Sequence, residues 1–157
     1  MEDTIARYKR QTKESLHYFM NTLSFVPADK VTWSPTPTAK STLQIVAHCA
    51  GYSGLFAEIL RTGRFPCSGD EFRRRANDAI ASITTLDEAK AVLEKGIADS
   101  LEALDTVKPE QIDGVIDSPQ GPTPFIFFLG LPGGHIDGHA TQIDYLQTCW
   151  DDQEVHF

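Results

Sequence analysis

The stretch GGHIDGHATQIDYLQ, residues 133–147, sets His135 and His139 four positions apart in a chain with five histidines. Neutral imidazole is the commonest protein ligand for metal ions, and an i,i+4 pair puts two rings on adjacent turns of one helix face. Chance alone supplies about 0.16 such pairs at this composition, so the spacing by itself says little. At about 100° per residue, His135, His139 and Gln142 fall on one face with Phe128 and Leu146, which reads as the buried face of a helix. Asp137 and Asp144 fall roughly opposite, toward solvent. A second segment repeats the pattern: Ile45, His48, Tyr52, Leu55 and Ile59 form an apolar stripe with His48 in its middle. Three imidazoles directed into one core need partners for every ring nitrogen, and apolar stripes supply few. The pattern therefore favours a metal site between two facing helices, with His48, His135 and His139 as ligands, over three separate core histidines. Such binding should weaken as pH falls through the ordinary histidine pKa near 6.5, because protons compete for each ring.

The spacing also excludes a chemistry. A zincin peptidase needs glutamate directly after its first histidine to act on the metal-bound water, and that position here is Ile136. Cys49 follows His48 but points about 100° around the helix, so it reads as a packing residue. His17 lies at the edge of its helical stripe and His156 lies in the polar tail DDQEVHF, so both read as surface residues. Nothing marks a catalytic residue; Tyr52, Glu58 and Gln142 are the nearest candidates for a general base.

Four helical segments must position these rings. Residues 3–25 carry Ile5, Tyr8, Leu16, Phe19 and Leu23 on one stripe and stop by Pro27. Ser41 and Gln44 have the spacing of a capping box, opening a second helix to about Arg61; Thr85 and Glu88 repeat it for a third, ending near Val107. A fourth apolar segment runs from about Pro124 to Trp150, where Pro132 should kink the helix or delay its regular part until Gly133. Residues 26–40 and 108–123 are rich in proline or glycine and read as long first and third connections, with Trp33 anchoring the first. The segment between the second and third helices is short and poorly determined, and Arg73, Arg74 and Arg75 within it read as a solvated helix face beside Asp70, Glu71 and Asp78. No sustained period-two alternation occurs, so no significant sheet is expected. The fold class is all-α, a four-helix bundle with long first and third connections, forming a single domain over 1–157.

The 157 residues carry a net charge of −8, which opposes a phosphate backbone and argues against nucleic-acid binding. The N-terminus lacks the apolar run of a signal peptide, and the longest such run, Phe125 to Leu131, is far too short to cross a bilayer. No membrane association is expected. Three cysteines without tight spacing fit free thiols in a reducing, cytoplasmic setting.

Three segments in order, PADKVTWSPTPTAKS, QIVAHCAGYS and HIDGHATQIDYLQ, together with the helix pattern, resemble the DinB/YfiT-like superfamily of metal-binding four-helix bundles. The resemblance implies a divalent metal, zinc or nickel, held by His48, His135 and His139 with water completing the coordination. It also implies a homodimer. Relatives of this kind include thiol S-transferases or isomerases that use low-molecular-weight thiols, and hydrolases. Two functions follow as expectations: a metal-dependent enzyme acting on a small molecule, or a non-catalytic, metal-stabilised dimeric stress protein.

Overall fold

The structure is a computed structural model that describes residues 3–154 and 156. Among the described residues, six α-helices and one hairpin appear, with a short 3-10 turn at Ala28–Lys30: α1 (Thr4–Ser24), α2 (Thr42–Thr62), α3 (Gly69–Ala81), α4 (Leu86–Leu104), α5 (Pro109–Ile112), β1 (Val115–Ser118), β2 (Gly121–Pro124) and α6 (Phe125–Thr148). The four long helices expected from the sequence form a bundle in which α2 packs against α4 and α6, and α1 packs against α6.

Both expected capping boxes are present. Ser41 Oγ accepts from the Gln44 amide while the Gln44 side chain accepts from the Ser41 amide, and Thr85 with Glu88 does the same for α4. Each satisfies amides that the first helical turn would otherwise leave unpaired, a contribution of about 0.5–2 kcal/mol. Gly63 closes α2 at φ 65°, a left-handed conformation in which glycine carries no Cβ penalty. By length and composition α2 is also the one helix among the described residues apolar enough to cross a bilayer; 67% of its most apolar window is buried inside the protein, as in a core helix.

Three expectations need correction. The segment after α2 holds α3, a thirteen-residue helix, so the second connection is as elaborate as the others. Ser68 caps it by accepting from the Glu71 amide, Asp70 and Glu71 complement its N-terminal dipole, and only Phe72 and Ala76 are buried. That thin apolar face is why periodicity hid it. The connection after α4 contains α5 and an antiparallel hairpin, with Val115 opposite Pro124 and Ser118 opposite Gly121. The hairpin turns at Pro119–Gln120 and is released by Gly121 at φ 102°. With four residues per strand, it is too short to show an alternation. Finally, α6 does not wait for Gly133: it starts at Phe125 and runs through Pro132.

Pro132 and Gly133 are both buried, and Gly133 faces α1. A Cβ on Gly133 would lie 3.1 Å from Ser15 Oγ and 3.2 Å from Thr12 Cα, so α1 and α6 leave little room for a side chain here. Thr12 and Ser15 are accordingly among the buried residues of α1. Gly96 plays the same part between α4 and α2, where a Cβ would lie 1.9 Å from Ser53 Oγ.

Candidate metal centre

The buried residues of α6 include Leu129, Ile136, Ala140, Ile143 and Gln147, all within 4% exposure. His135 and His139 are half-buried, flanking that stripe rather than occupying it. This corrects the sequence reading, which put the histidine face at the centre of the core. The reason is that α6 is packed from two sides. Asp137 accepts from Ser15 Oγ at 2.8 Å and Asp144 accepts from the Tyr18 hydroxyl, so the side expected to face solvent faces α1. The histidines sit on the other flank, toward α2.

His48 is half-buried on α2 and meets them there. Ring centroids lie 5.2 Å apart for His48 and His135, and 4.7 Å apart for both His48–His139 and His135–His139. One ligand nitrogen from each ring can be chosen such that all three lie within 4.8 Å of one another. Among the described residues this is the group of His, Cys, Asp or Glu side chains arranged to hold a metal ion.

Electrostatics keep the rings neutral. Burial, with Lys40 and His139 adding to it, pushes the His48 pKa from 6.5 down to about 4. Burial, then the charges of His139, His48 and Lys40, pushes His135 down to about 3. Burial also lowers His139, partly offset by its hydrogen bond to Gln142. Unprotonated rings present lone pairs at neutral pH, which is the state a metal requires.

The polar partners divide the nitrogens usefully. His139 Nδ1 lies 2.9 Å from Gln142 Oε1; since an amide oxygen can only accept, Nδ1 carries the proton and Nε2 keeps its lone pair. His135 Nδ1 is buried without a hydrogen-bond partner, an arrangement that costs free energy unless something further satisfies the ring. Tyr52 packs on His48 and His135 at centroid distances of 4.8 and 5.8 Å, and Phe56 meets His135 edge to face at 5.1 Å.

Of the candidates for a base, Tyr52 touches the cluster and Gln142 supports His139. Glu58 does neither, because its carboxylate is held at 2.7 Å by Arg75. Cys49 is fully buried and its thiol is pushed up to about 12 by burial, which leaves it a packing residue. His17 is exposed, while His156 pairs with Asp152 at 2.9 Å and stacks on Phe25. Trp33 packs edge to face with Trp150, tying the first connection to the end of α6. Sequence reasoning missed Phe56 and Lys40 as neighbours of the cluster. Phe56 lies two helical turns from His48 and could have been found from that spacing; Lys40 precedes the helix, and no periodicity reaches it.

Comparison with known proteins agrees with this architecture. A DinB-like protein, YjoA, from Bacillus subtilis superposes with a TM-score of 0.64 at 15% identity, covering 99% of this chain and 97% of that one. The mycothiol-dependent maleylpyruvate isomerase superposes with a TM-score of 0.68 at 14% identity, over 91% of this chain; this chain spans 63% of that protein. At such identities the likeness speaks for the fold alone. No curated protein matches the sequence significantly. The family model described as the DinB superfamily matches residues 10–143, most of the chain, and the protein therefore belongs to the DinB superfamily.

Proposed function

We propose that His48, His135 and His139 hold a divalent cation, zinc or nickel, and that the protein is a metal-dependent enzyme acting on a small molecule by thiol S-transfer or hydrolysis. The observation that carries this reading is the convergence of three neutral imidazoles from two helices, with their nitrogens within 4.8 Å. The donor set fits such an ion: three uncharged nitrogen ligands suit zinc or nickel and leave coordination positions open. His135 Nδ1, buried and unpaired, has capacity to spare. A cation bound there supplies Lewis acidity, lowering the pKa of a coordinated thiol or water. The residues around it do the rest: Gln142 fixes the tautomer of His139, Phe56 excludes water from one side of His135, and Tyr52 places a phenol beside two of the three rings. The structural likeness to a mycothiol-dependent isomerase supports a thiol as one reactant. By the same family likeness we propose a homodimer, which sedimentation equilibrium would measure.

The test is elemental analysis of protein purified without a histidine tag. The expected result is about one zinc or nickel per chain at neutral pH, and loss of most of it in His48→Ala, His135→Ala or His139→Ala, with His17→Ala unchanged. Equal metal content in the His139→Ala variant would sink the site. Metal at full occupancy, with neither thiol binding nor turnover across a panel of thiols and ester or amide analogues, would sink the enzymatic half and leave a metal-stabilised scaffold.

A further inference from the structure

A pocket of about 470 Å³ opens where α2, α3, α6 and the hairpin meet. Its inner wall includes Tyr52 and Phe56, the rings that pack on His135, so the pocket and the histidine cluster share a partition. Its outer wall comes from the elements added to the four-helix plan. Phe72 of α3 packs on Phe65 at 4.6 Å between centroids, and the hairpin turn closes over them. That closure is tight: a Cβ on Gly69 would lie 2.8 Å from Pro119 Cβ. Phe127, on α6, stands 58% exposed in the same lining, an unusual position for so large an apolar ring.

Of the polar side chains that line the pocket, Arg73, Ser118 and Thr123 are already engaged. Arg73 is paired with Asp70. Ser118 Oγ shares hydrogen bonds with Gln120 Oε1, Gly121 O and Thr123 Oγ1. The lining therefore offers apolar surface and aromatic faces without a free charge to anchor an ion, in a chain whose net charge of −8 does not attract anions. Its volume falls in the range of about 300–1,000 Å³ that holds small organic ligands.

We propose that this pocket binds the ring-bearing apolar part of an uncharged small-molecule substrate, whose polar end passes Tyr52 to reach the histidine cluster. The second half of this statement rests on the metal reading above; the first does not. Three naphthalene probes separate them by calorimetry: 2-naphthamide, 2-naphthoate, and 2-naphthohydroxamic acid, whose hydroxamate can coordinate a metal. On metal-free protein, 2-naphthamide should bind with one-to-one stoichiometry and more tightly than 2-naphthoate. Its affinity should fall at least fivefold in Phe127→Ala, an exposed position at which folding is not at risk, and in Leu131→Trp, which fills the pocket. On zinc-loaded protein the hydroxamate should bind at least tenfold more tightly than the amide, and His139→Ala should abolish that gain while leaving amide binding intact. Amide binding without the hydroxamate gain supports the pocket and removes its link to the metal. No saturable amide binding, amide affinity unchanged in both pocket variants, or tighter binding of 2-naphthoate that disappears in Arg73→Gln overturns the proposal.

Discussion

Gln142 is exposed to solvent, yet its amide oxygen holds the Nδ1 proton of His139 and so decides which nitrogen of that ring is free to coordinate. Partners of this kind typically contribute about 10–100-fold to metal affinity. Gln142→Ala should accordingly weaken zinc binding by about tenfold in a chelator competition, and Gln142→Glu should retain or strengthen it, since a carboxylate accepts the same proton. If Gln142→Ala leaves affinity unchanged, the hydrogen bond does not orient the ligand. The depressed pKa values also revise the acid behaviour expected from sequence. In the metal-free protein His48 and His135 stay neutral down to about 4 and about 3, whereas the unfolded chain takes up protons near 6.5. The unfolded state then binds more protons through that window, so stability falls as pH drops from about 6.5 toward about 4, on the order of 1–2 kcal/mol after allowing for partial exposure. Urea denaturation of metal-free protein at pH 7 and pH 5 measures it, and an equal midpoint at both would contradict the shifts. For the same reason proton competition for the folded site sets in below 6.5 rather than at it. That the three rings lie on facing helical stripes was readable from spacing, because 3.6-residue periodicity places them without knowledge of neighbours. Their partial exposure was not readable, since it depends on α1 covering the far side of α6 through Ser15 and Tyr18.

Among the helices, glycines of one kind hold the bundle together and glycines of another do not. Gly96→Ala would drive a methyl group into Ser53 at the α2–α4 contact, within 2.5 Å of Ser53 Cβ and 3.0 Å of the Gly54 nitrogen. Overpacking of this type costs about 1–3 kcal/mol or more, and thermal denaturation should show it as a fall in Tm. Gly138 has nothing within 4 Å of an added Cβ, and it lies inside α6. Gly138→Ala should raise stability by about 0.5–1 kcal/mol through helix propensity alone; a loss would mean that the open face is needed. The capped helices α2 and α4 were legible because capping boxes are local and side chains carry them. The solvated face of α3 was legible around Arg73–Arg75, but the extent and packing of α3 and the hairpin were not, because what holds them is distant: Gly51 admits Ile80 and Ala76 against α2, and Gly69 admits Pro119. A single chain read residue by residue does not announce such contacts.

At the scale of the whole molecule, the basic run Arg73–Arg75 is matched by acidic side chains. Each arginine is taken by a carboxylate: Arg73 by Asp70, Arg74 by Glu71 and Asp78, Arg75 by Glu58. Filter binding should therefore find no salt-sensitive complex with duplex DNA at physiological ionic strength, and one that disappears with rising salt would refute this. The histidine triad has a different consequence. His48 and His135 are separated by 87 positions along the chain (135 − 48), so no local segment can assemble the site. The triad closes only when α2 and α6 have found each other, late along any folding route in which nearby contacts form first. A cobalt ion added during refolding should thus gain its ligand-field absorbance in step with the last tertiary signal and never ahead of it, which makes the metal a clock for the completed topology.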